Sequence, residues 1–125
     1  MDRRLKDAET PLKELKDRIQ RFTDERDWHQ FHDLKNLSMA LAIEAGELME
    51  HFRWVANTEA QSVMKNPGSA VEIREELADV LLFVVQFANV ANIDLMEAAE
   101  RKLAINAERY PISKSKGVAT KYNKL

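Results

Sequence analysis

The sequence predicts an all-α protein: a four-helix bundle with a short extra helix, assembled as an oligomer. Three observations carry this. Apolar residues return at three- and four-residue intervals in four long segments. Helix-capping patterns stand at the head of several of them. Only three glycines and three prolines occur in 125 residues, and no useful stretch alternates as a half-buried strand would, which argues against turn-rich sandwiches and barrels.

The first helix is expected to open at Thr10-Pro11, as an N-cap followed by proline in the first helical position, and to fade near Arg26. Leu12, Leu15, Ile19 and Phe22 form its apolar stripe. An aromatic-rich connection, Asp27 to Asp33, follows. The second helix runs from about Leu34 to Arg53, with Leu34, Leu37, Leu41, Leu48 and Phe52 on one face. Thr58 to Gln61 has capping-box form and starts the short extra helix, which Asn66-Pro67-Gly68 ends. Ser69 to Glu72 is a second capping box, opening a long helix to about Ala91. From Val80 to Ala91 that helix is apolar on nearly every side, as suits a central helix or one shared between subunits. Asp94 to Glu97 caps the last helix, which ends near Arg109, before Pro111.

A length of 125 residues, 45% hydrophobic and 32% charged, fits one soluble domain, residues 1 to 125, with its core at about 11 to 111. No cysteine is present, which excludes disulfides and thiolate metal sites and fits the cytoplasm. A secretory leader is not expected in the polar opening residues. The longest apolar stretch is broken by Gln86 and Asn89 and is too short to span a bilayer. A net charge of −2 gives no footprint for a nucleic-acid polymer. Residues 112 to 125 are locally basic, with Lys114, Lys116, Lys121 and Lys124.

Two helices carry carboxylates where an apolar stripe should run. Glu44 sits among Leu37, Leu41 and Leu48. Asp79 lies more than two turns into the long helix, on a wedge that begins with Glu72, Glu75 and Glu76 and continues through Phe83. Helix-dipole effects account for acidic residues in a first turn but not for Asp79. Carboxylates facing one another near an apolar core are costly unless something neutralises them. A divalent cation does so, and carboxylate oxygens suit Mg²⁺, Mn²⁺ or Ca²⁺. Glu44 with Glu47, and Glu76 with Asp79, are three residues apart and each pair shares a helix face. A di-iron site is disfavoured, because no glutamate has a histidine three residues on.

The stretches EAGE at 44 to 47 and EELAD at 75 to 79 resemble the all-α nucleoside triphosphate pyrophosphatases, in particular the MazG-like and dCTP pyrophosphatase branch. ERDWHQFHDLKNLSMAL at 25 to 41, FRW ending at Trp54, NAERYP at 106 to 111 and the KY of Lys121-Tyr122 are similar to that branch in the same order. The resemblance spans about residues 15 to 123. It implies Mg²⁺-dependent hydrolysis of nucleoside triphosphates to monophosphate and pyrophosphate, with Mn²⁺ as a substitute, in sanitation of the nucleotide pool. It implies Glu44, Glu47, Glu76 and Asp79 as metal ligands. One carboxylate beside the metal would activate water; the sequence does not single it out, and Glu47 is taken as the candidate. Lys102, Asn106, Arg109 and Tyr110 would meet the triphosphate and sugar. Lys121 and Tyr122 would close over the phosphates. Trp28 and Trp54 would hold the base, and stacking of that kind is tolerant of base identity. Phe83 would also line the substrate, although mammalian-type dCTP enzymes follow a tyrosine pattern there. Ile19 stands where a polar substrate-facing residue is expected. These departures leave a dCTP preference and a wider range of modified or non-standard nucleotides both open. The expected assembly is a homodimer or homotetramer. The competing expectation is a non-catalytic helical module for nucleotide binding or protein assembly.

Overall fold

The computed structural model describes residues 3–125, and every regular element among them is helical. Contacts divide the chain into a first unit ending at Asn92 and a second from Ile93 to Leu125.

Three long helices make up the first unit: α1 (Leu12–Glu25), α2 (Leu34–Glu50) and α3 (Pro67–Ala91). Helix α3 packs mainly on α2 and also on α1. Ile19 of α1, Leu37 of α2, and Ala70, Ile73, Val85 and Ala88 of α3 are the buried apolar residues of this unit. Leu37 and Val85 are fully enclosed, and burial of such side chains contributes about 1.5–3 kcal/mol each. The amide of Asn89 on α3 donates to the carbonyl of Lys16 on α1 at 3.1 Å, tying the two helices across the core.

Several boundaries differ from expectation for local reasons. Pro11 is the N-cap of α1 rather than its first residue, and Thr10 instead accepts the backbone N–H of Lys6 through Oγ1 at 2.9 Å. Helix α2 stops at Glu50, three residues early, and residues 51 to 54 turn through bonds such as Phe52 N–H to the Met49 carbonyl. Helix α3 starts at Pro67 and not at Ser69. Asn66 caps it, its side chain accepting from the N–H groups of Gly68 and Ser69 at 3.0 and 3.3 Å. Proline at the first helical position has its φ already set and needs no donor partner. The short extra helix is two 3₁₀ turns, Asn57–Glu59 and Gln61–Lys65.

The end of α1 positions an aromatic group. Asp27 takes positive φ (52°), Trp28 N–H bonds the Thr23 carbonyl and Asp27 N–H the Asp24 carbonyl. This paired arrangement reverses the chain after the helix. It lays Trp28 edge-on to Phe22, with centroids 5.6 Å apart.

In the second unit, Asp94 caps α4 (Leu95–Arg109) by accepting the N–H of Glu97 at 3.0 Å, as the sequence pattern predicts. Pro111 then caps a four-residue helix, α5 (Ile112–Ser115), and a 3₁₀ turn runs Tyr122–Lys124. Among the described residues, no single helix is long and apolar enough to cross a membrane.

Candidate active site

Glu44 and Glu47 lie one turn apart on α2, and Glu76 and Asp79 one turn apart on α3. The two pairs meet at the α2–α3 contact. The carboxyl of Glu44 reports their convergence: its pKa is raised, first by burial, then by a hydrogen bond with Glu47, then by the charges of Glu47, Asp79 and Glu76. Only groups close together impose such repulsion. Oε2 of Glu44 and Oε2 of Glu76 are both shut from water and have no hydrogen-bond donor. Nε2 of His51 abuts that oxygen of Glu76, close enough for an ion pair when the imidazole is protonated, but it supplies no hydrogen bond.

The acidic wedge of α3 separates into two kinds of residue. Glu72 and Glu75 are exposed, while Glu76 and Asp79 are half-buried. On α2, Glu44 is half-buried and Glu47 is exposed; Glu50 is also exposed and pairs with Arg53 at 3.4 Å. So three carboxylates are recessed and one, Glu47, opens to solvent.

All the donors are carboxylate oxygens, which are hard ligands, and two of the oxygens are buried without partners. That set fits Mg²⁺ or Mn²⁺ in chemistry and charge. As the side chains stand, no three acidic or imidazole groups among the described residues close around one point.

Of the tryptophans, Trp28 belongs to an aromatic arc. It contacts Phe22 on one side and His32 on the other, with the His32 centroid at 6.2 Å. Arg26 lies over Phe22 at 3.6 Å. Trp54 takes no part in that arc. It is 84% exposed, with Arg53 4.6 Å from its ring. Phe83, one turn beyond Asp79, is half-buried.

Within the second unit, Tyr122 is held edge-on to Tyr110 at 6.0 Å and under the guanidinium of Arg109 at 4.7 Å. The structure thus brings three of the expected substrate residues into one cluster. Asn106 is half-buried on α4, and Lys102 and Lys121 are exposed. Two residues escaped the expected set. His51 follows Glu47 by four, one turn along the same face. Gln86 interrupts the apolar run seven residues past Asp79 and buries its Oε1 without a partner. An uncompensated polar residue in an apolar run was the available signal.

Known proteins are similar to this chain in sequence, and a solved structure is similar in fold. A model of the MazG-like family matches residues 39–125. The chain is 39% identical over 117 residues to dCTP pyrophosphatase 1 of Mus musculus, covering 94% of this chain and 69% of the mouse protein. The Homo sapiens dCTP pyrophosphatase 1 is 37% identical over 117 residues, with the same coverage of 94% and 69%. A crystal structure of a pyrophosphatase from Archaeoglobus fulgidus superposes with a TM-score of 0.75 at 34% identity, covering 86% of this chain and 99% of that one. Helical fold, paired carboxylates and these relatives define a hydrolase of the all-helical nucleotide pyrophosphatase class. The chain belongs to the MazG-like family.

Proposed function

We propose that this protein cleaves deoxynucleoside triphosphates, dCTP or modified and non-standard ones, to monophosphate and pyrophosphate, and so removes them from the nucleotide pool. The observation that carries this reading is the gathering of Glu44, Glu47, Glu76 and Asp79, registered as mutual repulsion at Glu44. Those four residues would hold Mg²⁺, with Mn²⁺ as a substitute. A bound divalent cation supplies charge neutralisation at phosphate oxygens and acidifies water.

The chain's own residues do the rest. Glu47, the one exposed member of the four, takes the proton of the water that attacks the α-phosphorus. Glu44, Glu76 and Asp79, recessed in the α2–α3 contact, stay fixed while charge builds on the phosphate. Lys102, Arg109 and Lys121 are cations suited to phosphate oxygens, Asn106 and Tyr110 to the sugar, and Tyr122 to closure of the tail. Trp28, Phe83 and Trp54 offer faces to the base.

Large apolar side chains remain open on the single chain: Met39 and Ile43 on α2, Leu77 and Leu81 on α3, and Trp54. Their cover is a second copy, as a homodimer or homotetramer, which sedimentation equilibrium measures directly.

The enzymatic reading is tested with a panel of canonical and modified deoxynucleoside triphosphates and Mg²⁺, following products by chromatography. Monophosphate plus pyrophosphate is expected. Diphosphate plus orthophosphate would remove the reading. A Mg²⁺-dependent thermal shift with triphosphate but no turnover would leave a non-catalytic nucleotide-binding module.

A further inference from the structure

Stacking holds a base without identifying it, so discrimination needs a polar group at the base edge. Among the described residues of the first unit, one buried side-chain oxygen outside the carboxylate set has no hydrogen-bond partner. Gln86 Oε1 is closed off from water and accepts no hydrogen bond. Leaving such a carbonyl unsatisfied costs on the order of 1–3 kcal/mol, which a donor on a ligand can recover.

Gln86 lies between two cavities of the α1–α3 contact. One, of about 240 Å³, is lined by Arg18, Ile19, Phe22, Leu82 and Gln86. Complete small-molecule sites run to roughly 300–1,000 Å³, so this recess suits one end of a ligand. Ile19, Phe22 and Leu82 offer no hydrogen bond. Arg18 is engaged, donating to Glu14 at 3.2 Å and to the carbonyl of Arg3. The other cavity is small and shares Gln86 with Thr23, His32 and Asn89. Thr23 donates to the Gln20 carbonyl at 2.9 Å and Asn89 to Lys16 at 3.1 Å. Phe22 borders the first cavity and His32 the second, and Trp28 touches both rings. Gln86 therefore shares its two cavities with members of the aromatic arc.

Its position on α3 also fits. Seven residues separate Asp79 from Gln86, which is two helical turns, the same face and about 10 Å along the axis. The reacting phosphate and the far edge of the base lie at opposite ends of a nucleotide, with the sugar between.

We propose that Gln86 is the base-reading residue: its carbonyl accepts a hydrogen bond from the exocyclic amino group of a cytosine-type base seated among Ile19, Phe22 and Leu82. This rests on the pyrophosphohydrolase reading and sharpens its substrate to amino-bearing pyrimidines. Thymine and uracil present a carbonyl at that edge, which would face the Gln86 carbonyl without a proton between them.

The experiment measures kcat/KM of the wild-type protein with Mg²⁺ for dCTP, dUTP and N4,N4-dimethyl-dCTP, then repeats dCTP and dUTP with Gln86→Met. Wild type should favour dCTP over both others by about tenfold or more, since a site built to bond a donor rejects the analogue lacking it. In Gln86→Met the dCTP-to-dUTP ratio should fall towards one. Equal use of dCTP and dUTP by wild type would overturn the inference without needing the variant to fold. So would a folded Gln86→Met protein that loses both substrates alike, which makes Gln86 a packing residue. Failure of every triphosphate to yield pyrophosphate would instead remove the underlying reading, and this inference with it.

Discussion

Nε2 of His51, the residue capping α2, meets Oε2 of Glu76 on α3, and the two side chains are only 18% and 23% exposed. The contact joins the helix of one carboxylate pair to a member of the other: His51 is one turn beyond Glu47, while Glu76 belongs to the facing helix. An imidazole in that place limits where the Glu76 carboxylate can point. Groups that orient a metal ligand are worth about 10–100-fold in metal affinity or activity. His51→Ala is therefore expected to raise the half-saturating Mg²⁺ concentration by about that factor, with much of the rate recovered at high Mg²⁺. A Mg²⁺ titration of pyrophosphate release reads it. An unchanged titration would make the contact incidental.

Glu47 and Asp79 test the proposed chemistry itself. Glu47→Gln and Asp79→Asn keep size and hydrogen bonding but remove a negative charge. Loss of several kcal/mol of transition-state stabilisation is expected, so kcat should fall at least about 100-fold in each. Full activity in either variant would remove that residue from the site. Helical circular dichroism should be unchanged in both, since neither carboxylate anchors the buried apolar core.

What the sequence displayed and what it hid follow from the range of the forces involved. Helix periods and caps are local, so the helical class and the Asp94 cap could be read directly. Starts and stops that depend on competition were displaced: Asn66-Pro67 outcompetes Ser69, and α2 yields at Glu50 to a turn. The Glu44 and Asp79 anomaly was legible because a carboxylate breaks an apolar stripe. Its depth was not. Glu72 and Glu76 share a wedge in sequence, yet only Glu76 is recessed, because the cover comes from α2. Gln86 was visible as an interruption, but the burial of its Oε1 without a partner depends on surroundings that include α1, more than sixty residues away.

Glu44 gives a pH dependence of definite sign. Its folded-state pKa lies above the usual carboxylate value of 4.5, chiefly from burial. The folded protein therefore binds that proton more tightly than the unfolded chain. The associated stability is fully present below 4.5 and is lost as pH rises through the raised pKa. In EDTA, wild-type Tm should decline over that window, and Glu44→Gln, which needs no proton, should flatten the decline. Mg²⁺ should raise the Tm of the wild type at neutral pH more than that of the variant, because binding to the folded state adds stability. Parallel pH curves for the two proteins would contradict the placement of Glu44.

The cap of α3 is expected to matter for stability and not for chemistry. Asn66 satisfies two N–H groups that otherwise face water alone. Asn66→Ala should cost about 1 kcal/mol, within the range of 0.5–2 known for such caps. Urea unfolding measures it, with the slope unchanged. Asn66→Asp should retain most of the stability, because a carboxylate accepts the same bonds and favours a helix start. A loss in Asp equal to that in Ala would show that the amide, not the acceptor, was needed.

Tyr122 is expected to set how firmly the basic tail is held. Its ring packs against Tyr110 at 6.0 Å and under Arg109 at 4.7 Å. An exposed cation–π contact contributes about 0.5–1 kcal/mol and an aromatic pair about 0.5–1.5 kcal/mol. Together they are of the order that changes an opening equilibrium tenfold, roughly 1.4 kcal/mol. Lys116 and Lys121 lie in this segment and are exposed, so trypsin reports the opening. Tyr122→Ala should be cleaved there about tenfold faster than wild type, without nucleotide present. Tyr122→Phe keeps the ring and should be cleaved at the wild-type rate. Equal cleavage of all three would mean the aromatic cluster does not restrain the tail, and Tyr122 would then have to act, if at all, through its hydroxyl.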